Sequence, residues 1–156
     1  MMLSTKRWLA IATAALGLAI ALPAAAQFRK PEDAVKYRQS AMSLQNSHFG
    51  RVFAMANGRV PFDAKVAAEQ IEIVAMLNRL QFAAFIDGSE VANTRAKPTV
   101  WTEKDKFAAA VTKSQADVDK LVVAGKSGNL EQIKAAAGAV ADSCKACHDD
   151  YQKPAQ

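Results

Sequence analysis

The sequence predicts an all-α fold, an antiparallel four-helix bundle, and three observations carry that expectation. Residues 27–156 are rich in Ala, Lys, Gln, Glu and Leu, with almost no period-two alternation. Gly and Pro punctuation divides them into four long runs. Within each run, apolar residues recur at steps of three and four, as on a helix that buries one stripe.

The first run opens at Pro31, a good first-turn residue, and Glu32 and Asp33 complement the helix dipole. It continues to about Asn57 and stops at Gly58. Val35, Arg38, Met42, Gln45, Phe49, Val52 and Ala56 give it a heptad-like seam. The second run follows Pro61, with Asp63 as the expected cap, and extends to about Phe85. Val66, Ile73, Leu77 and Leu80 are its expected apolar face. An irregular loop rich in Gly, Asn, Thr and Pro follows, from Asp87-Gly88 to Lys97-Pro98. The third run opens at Thr102, with Asp105 completing an approximate capping box, and ends near Gly125 and Lys126. Phe107, Val111, Ser114, Val118 and Leu121 form its inner stripe. The fourth opens at Asn129, with Gln132 three residues on, and extends to about Tyr151. Short connections after the first and third runs favour antiparallel neighbours.

The fourth run holds the most informative residues, Cys144-Lys145-Ala146-Cys147-His148. Cys-x-x-Cys-His is the c-type haem attachment pattern: each thiol adds across a vinyl group and the next imidazole ligates the iron. On a helix the two cysteines lie one turn apart on a shared face. A zinc site needs about four ligands; here the one other histidine is His48, far away in sequence, and there are no further cysteines. A redox dithiol belongs at a helix N-terminus after a strand, whereas this motif ends a helical run. Leu130, Ile133, Ala137, Val140, Cys144, Cys147 and Tyr151 share one seam. A haem c attached there is inserted between helices, near one end of the bundle.

The N-terminus points to the compartment. Lys6 and Arg7 precede an uncharged apolar run, Trp8 to Leu22, and then Pro23-Ala24-Ala25-Ala26. The run is shorter than the ~20 residues of a spanning helix, and an A-x-A site follows it directly. Residues 1–26 therefore read as a cleaved signal peptide and 27–156 as one haem-bearing domain in the periplasm, with no membrane insertion after cleavage. The full chain has 20 basic and 15 acidic residues; losing Lys6 and Arg7 leaves 18 against 15. That balance excludes nucleic acid as a partner.

With these elements in place, the chain resembles cytochrome c′, the class II c-type cytochromes. The resemblance rests on the C-terminal position of Cys144 to Asp149, on Lys30-Pro31-Glu32-Asp33-Ala34 and Tyr37-Arg38-Gln39-Ser40-Ala41-Met42, and on His48-Phe49-Gly50-Arg51. Pro61-Phe62-Asp63-Ala64 and Lys97-Pro98 followed by Trp101 extend it over the mature chain. It implies a homodimer of four-helix bundles joined through the first two helices, with His148 as axial iron ligand. It implies that Arg38 and Gln39 lie near the haem propionates and that Thr94 and Arg95 touch the haem edge. For Arg38 the residues agree, since an inward cation requires a partner. By the same resemblance, Met42 sits above the iron. His48, six residues on, turns away to solvent.

Two functions then compete. If Met42 shields the iron without bonding it, the haem is five-coordinate and high-spin. A pocket lined by Met42, Phe82 and Phe85, without a hydrogen-bond donor, penalises anions and oxygen and accepts the uncharged diatomics nitric oxide and carbon monoxide. Single-electron transfer with a periplasmic redox partner accompanies that role. The alternative is a low-spin electron carrier with Met42 as sixth ligand. A peroxidase needs a polar acid–base group above the iron, and no histidine or carboxylate occupies that seam, so the expectation is a non-enzymatic protein. Family members often carry a basic residue four positions after the histidine. Here Gln152 stands there, followed by Lys153, and the two read as a frayed tail.

Overall fold

The computed structural model describes residues 27–154, so the signal-peptide expectation lies outside the described residues. Four long helices form the bundle: α1 (Pro31–Ala56), α2 (Ala64–Phe82), α4 (Lys104–Ser127) and α5 (Leu130–Tyr151). A single-turn helix, α3 (Thr99–Thr102), interrupts the link between α2 and α4. No strand is assigned among the described residues. Neighbours pack in the ring order α1, α2, α4, α5, with α1 and α5 making the sparsest seam.

Local chemistry starts and stops most of the helices as expected. Pro31 sits in the first turn of α1 with Glu32 and Asp33 beside it. The Asp63 side chain accepts from the Val66 N–H at 3.0 Å, and Asn129 accepts from the Gln132 N–H at 3.0 Å. Two expectations fail. The Thr102–Asp105 box does not form: Thr102 belongs to α3, and α4 begins after Glu103 without a side-chain cap. The third run also passes through Gly125 to Ser127, ending at Gly128 with φ +64°. Gly125 is an approach point instead, since a Cβ there would lie 2.9 Å from Ile71 Cδ1. Thus α2 and α4 meet closely where a side chain is missing.

The buried face of α2 also differs from the expected one. Ala67, Ile71, Val74, Ala75, Leu77, Asn78 and Gln81 are buried, whereas Val66 and Leu80 are exposed. Of the expected face only Leu77 is buried and Ile73 half-buried; the inward stripe mixes Ile71 and Val74 with small and polar residues, which rotates it away from Val66 and Leu80. The helix ends at Phe82, three residues early, and turns carry the chain to Phe85.

One cluster closes the core. Val52, Met55 and Ala56 of α1 meet Ala67, Ile71, Val74 and Ala75 of α2, Val118, Leu121 and Ala124 of α4, and Ile133, Ala137 and Val140 of α5. Burying a Leu- or Ile-sized side chain stabilises by about 1.5–3 kcal/mol. This cluster occupies the middle of the bundle and the end where α1 and α4 finish. The opposite end, where α5 finishes, holds the haem motif.

Candidate haem-binding site

α5 brings Cys144, Cys147 and His148 to that opposite end within one turn. Both cysteines are free thiols and half-buried, and Cys144 packs against the core cluster. Burial raises both thiols. Cys147 reaches about 11, with smaller contributions from Cys144 and Asp150. Burial lowers His148, and Arg95 nearby lowers it further against a weaker pull from Asp149. Both influences favour the neutral imidazole, the form that ligates a metal.

Aromatic side chains from three helices and the α2–α4 link converge beside the motif. Phe107 of α4 meets Tyr151 of α5 edge-on at 5.2 Å, Phe85 at 5.0 Å and Phe82 at 6.4 Å. Trp101 of α3 lies 6.4 Å from Phe85. Tyr151 stands one turn beyond Cys147. All five aromatic residues, and Met42 of α1, are half-buried. Apolar rings that stay half-exposed in a bundle interior, next to two half-buried thiols with no disulfide, suit a flat apolar group bonded through thioethers. The donor set fits a covalent haem. Cys144 and Cys147 would form the thioether links, and His148 would hold the iron.

Arg38 was expected to meet an anion, and the structure gives it neutral acceptors. Its side chain is 2 % exposed. Nη1 donates to the Ala84 carbonyl at 2.9 Å and Ser89 Oγ at 2.8 Å. Nη2 donates to the Ser89 carbonyl and Thr94 Oγ1, both at 2.8 Å. The guanidinium also lies over Phe85, 4.6 Å from its centroid, and 5.6 Å from that of Trp101. Burial lowers its pKa to about 10, against a smaller upward pull from Glu90, so it stays cationic at neutral pH. Arg38 therefore clasps the α2–α4 link, and both terminal nitrogens are engaged there.

The other expected residues are placed as follows. Thr94 is buried, and its Oγ1 also accepts from the Ala96 N–H at 3.1 Å. Gln39 is exposed, its Nε2 donating to the Asn93 carbonyl at 3.3 Å. Arg95 is exposed and donates to the Lys153 carbonyl at 3.1 Å. His48 does not face open solvent: it is half-buried, and its Nδ1 pairs with Gln70 Oε1 at 2.7 Å, tying α1 to α2. Gln152 and Lys153 do not fray. Ala96 pairs antiparallel with Gln152, the Lys97 N–H donates to the Tyr151 carbonyl at 2.8 Å, and the Lys153 N–H donates to the Arg95 carbonyl at 2.7 Å. Residues 95–97 are thus strapped to the end of the haem-motif helix.

Sequence reasoning missed Ser89, Asn78 and Gln81. Ser89 is fully buried inside a stretch that looks like an ordinary polar loop. Asn78 donates to Ser114 Oγ at 3.1 Å, while its Oδ1 and Gln81 Oε1 are buried without a partner. Their signal was available: a polar residue at a helical core position.

An all-α bundle whose last helix presents Cys-x-x-Cys-His to an aromatic interior defines a c-type haem protein. The Cytochrome C′ family profile matches residues 33–152. Cytochrome c′ of Rubrivivax gelatinosus is 52% identical over 128 residues, covering 81% of this chain and 99% of that protein. Its crystal structure superposes with a TM-score of 0.80 over 81% of this chain and all (100%) of that one. Cytochrome c′ of Alcaligenes xylosoxydans xylosoxydans is 43% identical over 81% of this chain and 98% of its own. A ferrous, nitric oxide-bound variant of cytochrome c prime from Alcaligenes xylosoxidans is 42% identical, with a TM-score of 0.78 over 82% of this chain and 99% of that one. The chain belongs to the cytochrome c′ family, and its cofactor is covalently bound haem c.

Proposed function

We propose that this protein binds nitric oxide and carbon monoxide at a five-coordinate haem iron and passes single electrons in the periplasm, without turning over a substrate. Cys144 and Cys147 hold the haem c and His148 ligates its iron. The observation that carries the reading is the engagement of Arg38. It is the buried cation at this end, and its terminal nitrogens are committed to Ala84, Ser89 and Thr94. It is therefore withheld from service as a donor or acid above the iron. The lining of the Met42 pocket is then the half-buried rings of Phe82 and Phe85, as the sequence suggests, and such a lining repels water and anions. Met42 acts as the gate, and a flexible thioether side chain can move aside. Nitric oxide complexes of the Alcaligenes xylosoxidans protein support the ligand class.

Haem c supplies the iron that accepts a diatomic ligand and one electron. The chain's own part is to orient it from α5, keep His148 neutral, dry the Met42 face and fix the edge through Thr94. Export rests on residues 1–26; among the described residues, no helix is long and apolar enough to cross a membrane. Pairing of two copies through the outer faces of α1 and α2 fits the exposure of Leu44, Val66, Met76 and Leu80 there.

Spectra of the oxidised and reduced protein, with and without nitric oxide, test the reading. High-spin features and a new reduced spectrum on adding the gas are expected. A sulfur-to-iron charge-transfer band would assign Met42 as a ligand and the protein as an electron carrier. Met42→Ala should speed gas entry by at least tenfold; an unchanged rate removes Met42 as the gate.

A further inference from the structure

Three lysines near the haem end are paired with carboxylates. Lys104 pairs with Asp87 at 2.7 Å, Lys106 with Glu103 at 2.9 Å, and Lys145 with Asp149. Three cations on the strap bond to backbone carbonyls instead. Arg95 donates to the Lys153 carbonyl, Lys97 Nζ to the Asp149 carbonyl at 2.7 Å, and Lys153 Nζ to the Thr94 carbonyl at 3.4 Å. Carbonyl bonding fixes their positions and leaves their charges uncompensated. The antiparallel pairing of Ala96 with Gln152 holds the three on one small surface. That surface adjoins His148, whose backbone carbonyl accepts from the Gln152 N–H at 3.0 Å. The acidic groups facing it are Asp149, already paired with Lys145, and Asp150, which lies toward Cys147.

We infer that the strap face formed by Arg95, Lys97 and Lys153 is the docking surface for an acidic electron-transfer protein. This rests on the haem being attached at Cys144 and Cys147. A rigid cluster of like charge with its counter-ions removed steers an oppositely charged partner and sets its orientation. A partner seated here lies beside His148, the residue that would hold the iron, and so would have a short route for one electron. The one-electron step balances as transfer between the haem iron and the partner's own redox centre, with no bond formed or broken.

The test uses the haem-loaded protein, with attachment first confirmed by mass. Two small redox reagents of opposite charge, hexacyanoferrate and hexaammineruthenium, are compared across ionic strength. The variant Arg95→Gln/Lys97→Gln/Lys153→Gln should react about tenfold more slowly with hexacyanoferrate at low salt and lose most of its salt dependence. With hexaammineruthenium it should react faster. An equal loss of charge at the far end, Arg59→Gln/Lys65→Gln/Lys134→Gln, should change either rate less than twofold. Poly-L-glutamate should shift the amide resonances of residues 95–97 and 149–153, a readout independent of electron transfer. Equal effects from the two triple variants would show that net charge, not this face, governs docking, and would overturn the inference. Capture of the wild type by phosphatidylglycerol vesicles, with no response to polyglutamate, would overturn it in favour of a lipid surface. Lys153→Gln alone removes only the long 3.4 Å bond. It should give a smaller loss of the same sign, which keeps the test decisive if the triple variant folds poorly. A mass of bare polypeptide would instead remove the haem reading itself.

Discussion

Where α1 and α4 finish, Val52, Ile71, Leu121, Ile133, Ala137 and Val140 close on one another with almost no exposed surface. Where α5 finishes, the interior is made of half-buried rings, two thiols, and polar side chains such as Arg38, Ser89 and Thr94. The first end holds itself together by apolar burial, which is non-directional and tolerant of partners. The second is held by hydrogen bonds of fixed geometry between segments far apart in the chain: Arg38 to the 84–94 link, and 95–97 to 151–153. The contrast teaches a division of labour. The apolar half supplies stability, which frees the other half to keep apolar faces open for a prosthetic group.

Arg38→Ala should break that contrast most severely. It leaves the Ala84 and Ser89 carbonyls and two hydroxyls without their donor, at a cost of about 4 kcal/mol. Amide hydrogen exchange should rise across residues 84–98 first and leave α2 and α4 protected near Ile71 and Leu121. Leu121→Ala should cost about 3 kcal/mol through its cavity. Its effect should be global, lowering the denaturant midpoint without changing the slope, with no preferential loosening of the link. If the two variants show the same exchange pattern, the halves are not distinct.

A smaller effect tests the outer side of the apolar half. Asp117 is buried at its carboxylate, and its pKa is lowered first by the Lys113 hydrogen bond, then by Lys120, against an opposing push from burial. A carboxylate depressed in the folded state contributes stability above its unfolded pKa and loses it as pH falls through the folded one. Stability should therefore decline as acid protonates Asp117, from roughly pH 4 downward. Asp117→Asn should lose this part of the acid response and cost no more than about 1 kcal/mol at neutral pH. Acid titrations of the two proteins that superimpose would exclude the role. The smallest change is expected for Asn78→Leu. It removes an unpartnered Oδ1 along with one bond to Ser114. The denaturant midpoint should move by less than about 1 kcal/mol in either direction. A large loss would mean that Oδ1 has a partner when haem is bound.

Much of this architecture was legible in the residues because local chemistry sets it. Pro31, Asp63 and Asn129 start helices whatever packs around them, and Cys144, Cys147 and His148 share a helical turn by spacing alone. The inward side of α2 was misread because Ala67, Asn78 and Gln81 occupy core positions that a hydrophobic count assigns to solvent.

By itself, then, the sequence determined the four long helices and the placing of Cys144, Cys147 and His148 on one turn of the last of them, all of which depend on neighbours within a turn or two. Only the tertiary structure decided what Arg38 bonds, that Ser89 is buried, and that Gln152 and Lys153 are strapped to residues 95–97. Those pairings join groups 46 to 59 residues apart. Such distances carry no periodic trace along the chain, because which donor meets which acceptor is set by how the folded helices bring distant segments together.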